Sequence, residues 1–276
     1  MGTAKNHRQS FLQAHPHCVF CGGNAVATTI EHCPPRAMFQ NRHWPEGFEF
    51  SACSPCNNGT NDHDLLVAML ARMGPFEENG NKDGKLEGIM KMANKQYPGL
   101  FSKMFVSPGE ARRNNRKLGI QPQPGQTHQE AGGIRLTSEV HEAVCVLAKK
   151  LAKGIFYRET QTIFPDNGCL LLNWFTNAEL IREGKYVVFD LLKELGGSAP
   201  PLQRSNKYLN DQFEYKITLS PEMNIMILQA RFGNSFGLVV FGSTLPDRLE
   251  AMISRLREQS SREGPFAVLQ STSLMK

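Results

Sequence analysis

Two Cys-x-x-Cys turns, Cys18–Cys21 and Cys53–Cys56, constrain this 276-residue chain more than any other feature. Such a turn brings two thiolates within reach of one ion, and two turns supply the four-thiolate tetrahedron of structural zinc. A redox dithiol would be a single turn of this kind beside a βαβ pattern, whereas here two turns are separated by a loop. Coordination also lets a short segment fold that buries too little apolar surface to do so alone. The expected ligands of a structural Zn2+ are therefore Cys18, Cys21, Cys53 and Cys56. Cys33 has no paired knuckle and abuts Pro34, so it stays outside the set. Cys145 and Cys169 read as isolated buried thiols, and reduced cysteines predict a cytoplasmic protein.

Between the knuckles a β-prone run, Ala25–Ile30, ends at Glu31-His32, and Pro34-Pro35 stops any regular element beyond it. A histidine at a strand end inside a metal-stapled unit is a positioned histidine. Its imidazole can take a proton from water near neutral pH. The neighbouring carboxylate is a hard oxygen donor suited to Mg2+ or Mn2+. Asn57 follows Cys56 directly and offers a neutral carbonyl oxygen, and Asn61 lies one helical turn further on the same face.

Cys18-x-x-Cys21, Glu31-His32 and Cys53-x-x-Cys56-Asn57 together resemble the HNH, or ββα-metal, endonuclease finger, most of all its four-cysteine zinc-bound form in phage resolvase-like proteins. The likeness covers roughly residues 15–75. It implies a ββα-metal fold, with Glu31 and Asn57 as ligands of a catalytic Mg2+ or Mn2+, Asn61 as a further ligand, and His32 as the general base. The chain departs from the family where many members carry a middle Asn before the second knuckle: Gly47-Phe48-Glu49-Phe50 stands there. Glu also replaces the commoner Asp before the histidine.

Beyond the knuckles, residues 57–73 read as the finger's helix, and the turn-rich Asn79–Gly84 marks the boundary between domains 1–78 and 79–276. Helices are expected over Leu86–Asn94, Leu100–Phe105 and Ser138–Arg158. In the last of these, Val140, Ala143, Val144, Leu147, Leu151 and Ile155 form an apolar stripe, which puts Lys149, Lys150 and Lys153 on a basic outer side. Alternating runs at 213–219, 225–232 and 236–241 predict an antiparallel meander, and Leu245–Arg257 a closing amphipathic helix. The fold class expected is α+β: a zinc-stapled ββα-metal finger followed by an α+β domain with an antiparallel sheet.

The net charge of +5 agrees with a nucleic-acid partner. Arg36 sits where it could meet a phosphate, and Arg112, Arg113, Arg116 and Lys117 form the densest basic cluster. No apolar run is long enough to span a bilayer. The function the resemblance implies is metal-dependent hydrolysis of DNA phosphodiesters, in a setting such as phage defence or a mobile element. A homodimer would be the simple route to a double-strand break. The residues also leave open a zinc-finger binding protein whose site has decayed, or a nuclease subunit silent without its protein partner.

Overall fold

In the computed structural model, residues 2–73, 82–131, 134–245, 249 and 266–270 are described. Helix α1 (Gly2–Ala14) is tied down by Arg8, which donates to the Thr28 carbonyl at 2.6 Å. Strands β1 (Thr29–His32) and β2 (Glu49–Ala52) form an antiparallel pair with His32 opposite Glu49 and Thr29 opposite Ala52. The connection between them contains two short 3-10 turns, Arg36–Met38 and Gln40–Arg42. It is clamped by the buried Arg72, which donates to the carbonyls of Ala37 and Phe39 and pairs with Asp83 at 2.7 Å.

Helix α2 (Ser54–Asn58) starts immediately after β2, with Cys53 at its N-cap and Pro55 in its first turn, where a missing N–H costs nothing. It runs through a short break into α3 (Asn61–Arg72). Two helices therefore replace the single one expected over residues 57–73, in the order strand, strand, helix.

Helices α4 (Leu86–Gln96), α5 (Leu100–Met104) and α6 (Pro108–Leu118) follow, then the 23-residue α7 (Ser138–Thr160). Both long caps have local causes. Ser107 accepts from the Glu110 amide at the start of α6, and Thr137 accepts from the Val140 amide at the start of α7. Next come β3 (Cys169–Thr176), α8 (Ala178–Glu183), α9 (Val187–Leu191), and the two-residue strands β4 (Gln203–Arg204) and β5 (Lys207–Tyr208). The meander β6 (Glu214–Ser220), β7 (Ile225–Phe232) and β8 (Phe236–Ser243) forms where alternation predicts it. With β9 (Phe266–Gln270) the sheet is five-stranded and antiparallel, ordered β6-β7-β8-β3-β9. The apolar run at Cys169 thus supplies β3, between β8 and β9.

The protein is α+β. One cluster of buried apolar side chains runs from Phe20 and Phe50 through Leu66, Met69, Val144 and Leu147 to Leu170, Leu228 and Val240. Helix α7 lies within it, packed against α3 and the sheet. This corrects the expected basic outer side of α7: Lys149, Lys150 and Lys153 are only 9, 1 and 0% exposed. Solvent does not cover them because the β1–β2 unit packs there. Gly154 permits the approach, since a Cβ at that position would stand 3.0 Å from the Phe50 ring. The boundary expected at residues 78/79 and most of the closing helix lie outside the described residues. Among the described residues, no helix is long and apolar enough to cross a membrane.

Candidate functional site

The first knuckle is shaped by its backbone. The Cys18 amide donates to the Ala25 carbonyl and the Gly23 amide to Cys18, while Gly22 and Gly23 take positive φ of 70° and 82° that only glycine adopts freely. The Val19 amide donates to Ser51 at 3.0 Å, which fastens this turn to β2 and brings it to the second knuckle. The sulfurs of Cys18, Cys21, Cys53 and Cys56 all lie within 4.8 Å of one another, and all four residues are buried. Tetrahedral zinc with Zn–S bonds of about 2.3 Å places its sulfurs about 3.8 Å apart, inside that limit. Burial and then the charge on Cys18 push Cys21 up to about 11, whereas a hydrogen bond to Cys56 lowers Cys18. The donor set fits a structural metal such as zinc. Cys33 is buried apart from the four and lies among Lys150, Glu31 and Asp64.

Two lysines of α7 face this cluster. Lys153 Nζ donates to the Phe20 carbonyl, inside the first knuckle, at 2.8 Å. Burial, then Lys149, lowers its pKa to about 8, against the pull of Cys56 and Cys21. Lys149 is lowered by burial and raised by Cys56.

Glu31 and His32 are neighbours on β1 and point to different surroundings. Glu31 is only 4% exposed, and Lys150 donates to its Oε1 and, at 2.8 Å, to Thr60 Oγ1. Asp64, on the first turn of α3, brings a second carboxylate near the same ammonium. The two partners respond differently. Burial raises Glu31 to about 7 despite Lys150, whereas Glu31 and then Asp64 raise Lys150 against its own burial.

Asn57 Nδ2 donates to the Ile30 carbonyl at 3.2 Å and braces β1. Asn61 is exposed at the start of α3. The structure therefore joins Glu31 to Lys150, Thr60 and Asp64.

His32 sits against the connecting loop. Trp44 meets its ring edge-on at 4.7 Å, and Glu49 Oε1, its cross-strand partner, is 3.4 Å from Nε2. Arg36 stacks over Trp44 at 5.1 Å and Arg204 at 3.7 Å, and Arg204 also donates to the Trp44 carbonyl. Burial, then Arg36, with Arg204 adding, lowers His32 to about 4 although Glu49 opposes them. The imidazole is neutral at physiological pH.

Arg204 arrives from far along the chain. It ends β4, and Ser205 and Asn206 at φ 49° and 62° make the tight turn to β5. The Glu46 amide donates to Gln203, and the Ser205 amide donates to Glu46, which clips this small hairpin over the Trp44 loop. Sequence reasoning missed Arg204, Glu49, Thr60 and the α7 lysines. Only Glu49 had a local signal, its place opposite His32 in the hairpin register.

Arg112, Arg113, Arg116 and Lys117 lie exposed on α6. That helix is joined to the segment after it by Asn115, which donates to the His128 carbonyl, and by the Arg135–Glu110 pair. A separate cleft of about 410 Å³ lies over β6 and β7, lined by Phe189, Asp190, Lys216, Gln229 and Arg231 among others. It contains none of the residues that the sequence singles out. No protein-family model matches the chain, and no curated protein or solved structure matches it either.

Proposed function

We propose that the protein is an endonuclease that hydrolyses DNA phosphodiesters at His32. The observation that carries this reading is a neutral imidazole flanked by Arg36, Arg204 and Trp44 on a strand stapled by four cysteines. With Glu49 Oε1 3.4 Å from Nε2, the proposed tautomer carries its proton on Nε2 and keeps the lone pair on Nδ1. In the proposed step Nδ1 takes a proton from water, the water oxygen bonds to phosphorus, and the bond from phosphorus to the 3′ oxygen breaks. Arg36 and Arg204 offer guanidinium donors to the extra charge on the phosphoryl oxygens, and the leaving oxygen takes its proton from solvent. Catalytic Mg2+ or Mn2+ does not fit the arrangement, because the buried ammonium of Lys150 already sits on the Glu31 carboxylate. No step is routed through such an ion.

A second reading has its own support. The closed Glu31–Lys150–Thr60 cluster suits a module that holds nucleic acid without cutting it. The test is nicking of supercoiled plasmid by the zinc-loaded protein beside His32→Ala, with and without Mg2+. Nicking that falls by about 10²-fold or more in the variant is the expected result. Equal nicking by both would sink the assignment of His32. Retention of DNA with no nicking would select the second reading.

A further inference from the structure

We infer that the ammonium of Lys150 fills the cation site built by Glu31 and the residues around Asn57, so that the protein takes no divalent ion there. This rests on the nuclease reading for one thing only, the identity of the positions at which such a finger would hold its cation.

The geometry is that of a site already organised around a positive charge. Lys150 Nζ donates to Glu31 Oε1 and Thr60 Oγ1 and stands 5.4 Å over the face of Phe20, while Asp64 adds a second carboxylate nearby. The polarity continues outward. Thr60 accepts from the ammonium and donates its own proton to the Asn57 backbone carbonyl at 3.2 Å, while the Asn57 side-chain Nδ2 donates separately to the Ile30 carbonyl. Asn57 is thus tied into the network as a brace of β1, and its position beside the zinc knuckle is used without coordination of a second metal.

The ammonium is also held from behind. Lys150 belongs to α7, whose neighbouring Lys153 donates into the first knuckle and whose Gly154 seats the Phe50 ring. A divalent ion would have to displace a charge that is 1% exposed from a helix face packed on both sides of it. A buried ion pair of this kind is broken only at the expense of leaving its partner unpaired.

The test is uptake of Mn2+ by the zinc-loaded protein, read from the paramagnetic resonance signal of the free ion. The native protein is expected to take up no Mn2+ at this site into the millimolar range. Lys150→Ala is expected to take up one Mn2+ about tenfold or more tighter than native, an effect of the size that groups around a metal typically exert, and to lose it when Glu31→Gln is added. Paramagnetic broadening of the Lys150 and Thr60 amide signals locates any ion in the native protein without a variant, so the question survives a variant that fails to fold. Broadening of those signals in the native protein would overturn the inference. So would a folded Lys150→Ala protein that takes up none. Plasmid nicking is measured on the same samples, and its absence would count against the nuclease without touching the Mn2+ result.

Discussion

A histidine with an ordinary pKa would be half charged near pH 6.5, and a charged ring is no acceptor for a proton from water. At His32 burial and the guanidinium of Arg36 outweigh Glu49 and lower the value to about 4. Between pH 6.5 and 4 the unfolded chain therefore binds a proton at His32 that the native state refuses. Stability from this group is present above the unfolded value and is lost as pH falls toward 4. Glu31 has the opposite sign: raised from 4.5 to about 7, it favours the native state most below pH 4.5 and loses that contribution as pH rises through 7. The two slopes oppose each other in the native protein. They separate in a difference measurement, because His32→Ala retains Glu31. The unfolding free energy of native minus His32→Ala should rise between pH 4 and 6.5, by at most about 3 kcal/mol. Urea unfolding at a few pH values checks it, and a pH-independent difference would mean that the ring protonates normally.

At the level of elements, α7 decides what the molecule can be. Its apolar stripe was legible, because Val140, Val144, Leu147 and Leu151 recur at helical spacing, but a stripe predicts one buried face. Helix α7 is buried on a further side, and there it carries lysines whose partners, Phe20 and Glu31, lie over a hundred positions away in the chain. Nothing local encodes that. The cysteine cluster could be read because each knuckle is a local turn, and the meander because alternation is local. Arg204 could not, since its turn, Ser205-Asn206, lacks the usual glycine signal and its target, Trp44, is distant. Gly154 is the point at which this packing can be probed. Leucine there would gain about 1 kcal/mol of helix propensity and lose more by driving into Phe50, whose ring already stands 3.0 Å from where a Cβ would be. Overpacking of this kind costs about 1–3 kcal/mol. Gly154→Leu should therefore lower stability, and Phe50→Ala in the same chain should recover part of the loss, so that the two changes are not additive. Strict additivity in denaturant unfolding would show that the two do not meet.

Across the whole molecule, the metal knuckles and the large sheet share one interior. A file of rings runs from Phe50 to Phe48 at 6.4 Å, to Phe213 at 5.5 Å, to Phe232 at 5.0 Å and to Phe236 at 4.6 Å, linking β2 to β8. Arg158 of α7 caps the middle of it, 4.6 Å over Phe48 and 6.0 Å over Tyr215. Small metal units commonly unfold by themselves when stripped. Among the described residues this one offers no such plane of separation, because its strands join the core of the remainder and its knuckle holds Lys153. Removing the metal should consequently destabilise the sheet as well. Each kcal/mol lost moves the melting temperature of a chain this size by about 2–4 °C, and loss of a structural metal is worth several, so chelation or Cys56→Ser should lower it by more than about 10 °C. Calorimetry should find one transition before and after, displaced as a unit, with sheet and helix circular dichroism lost together. A second transition that stays at the original temperature would mean that the sheet stands without the knuckles, and that the shared core couples them only weakly.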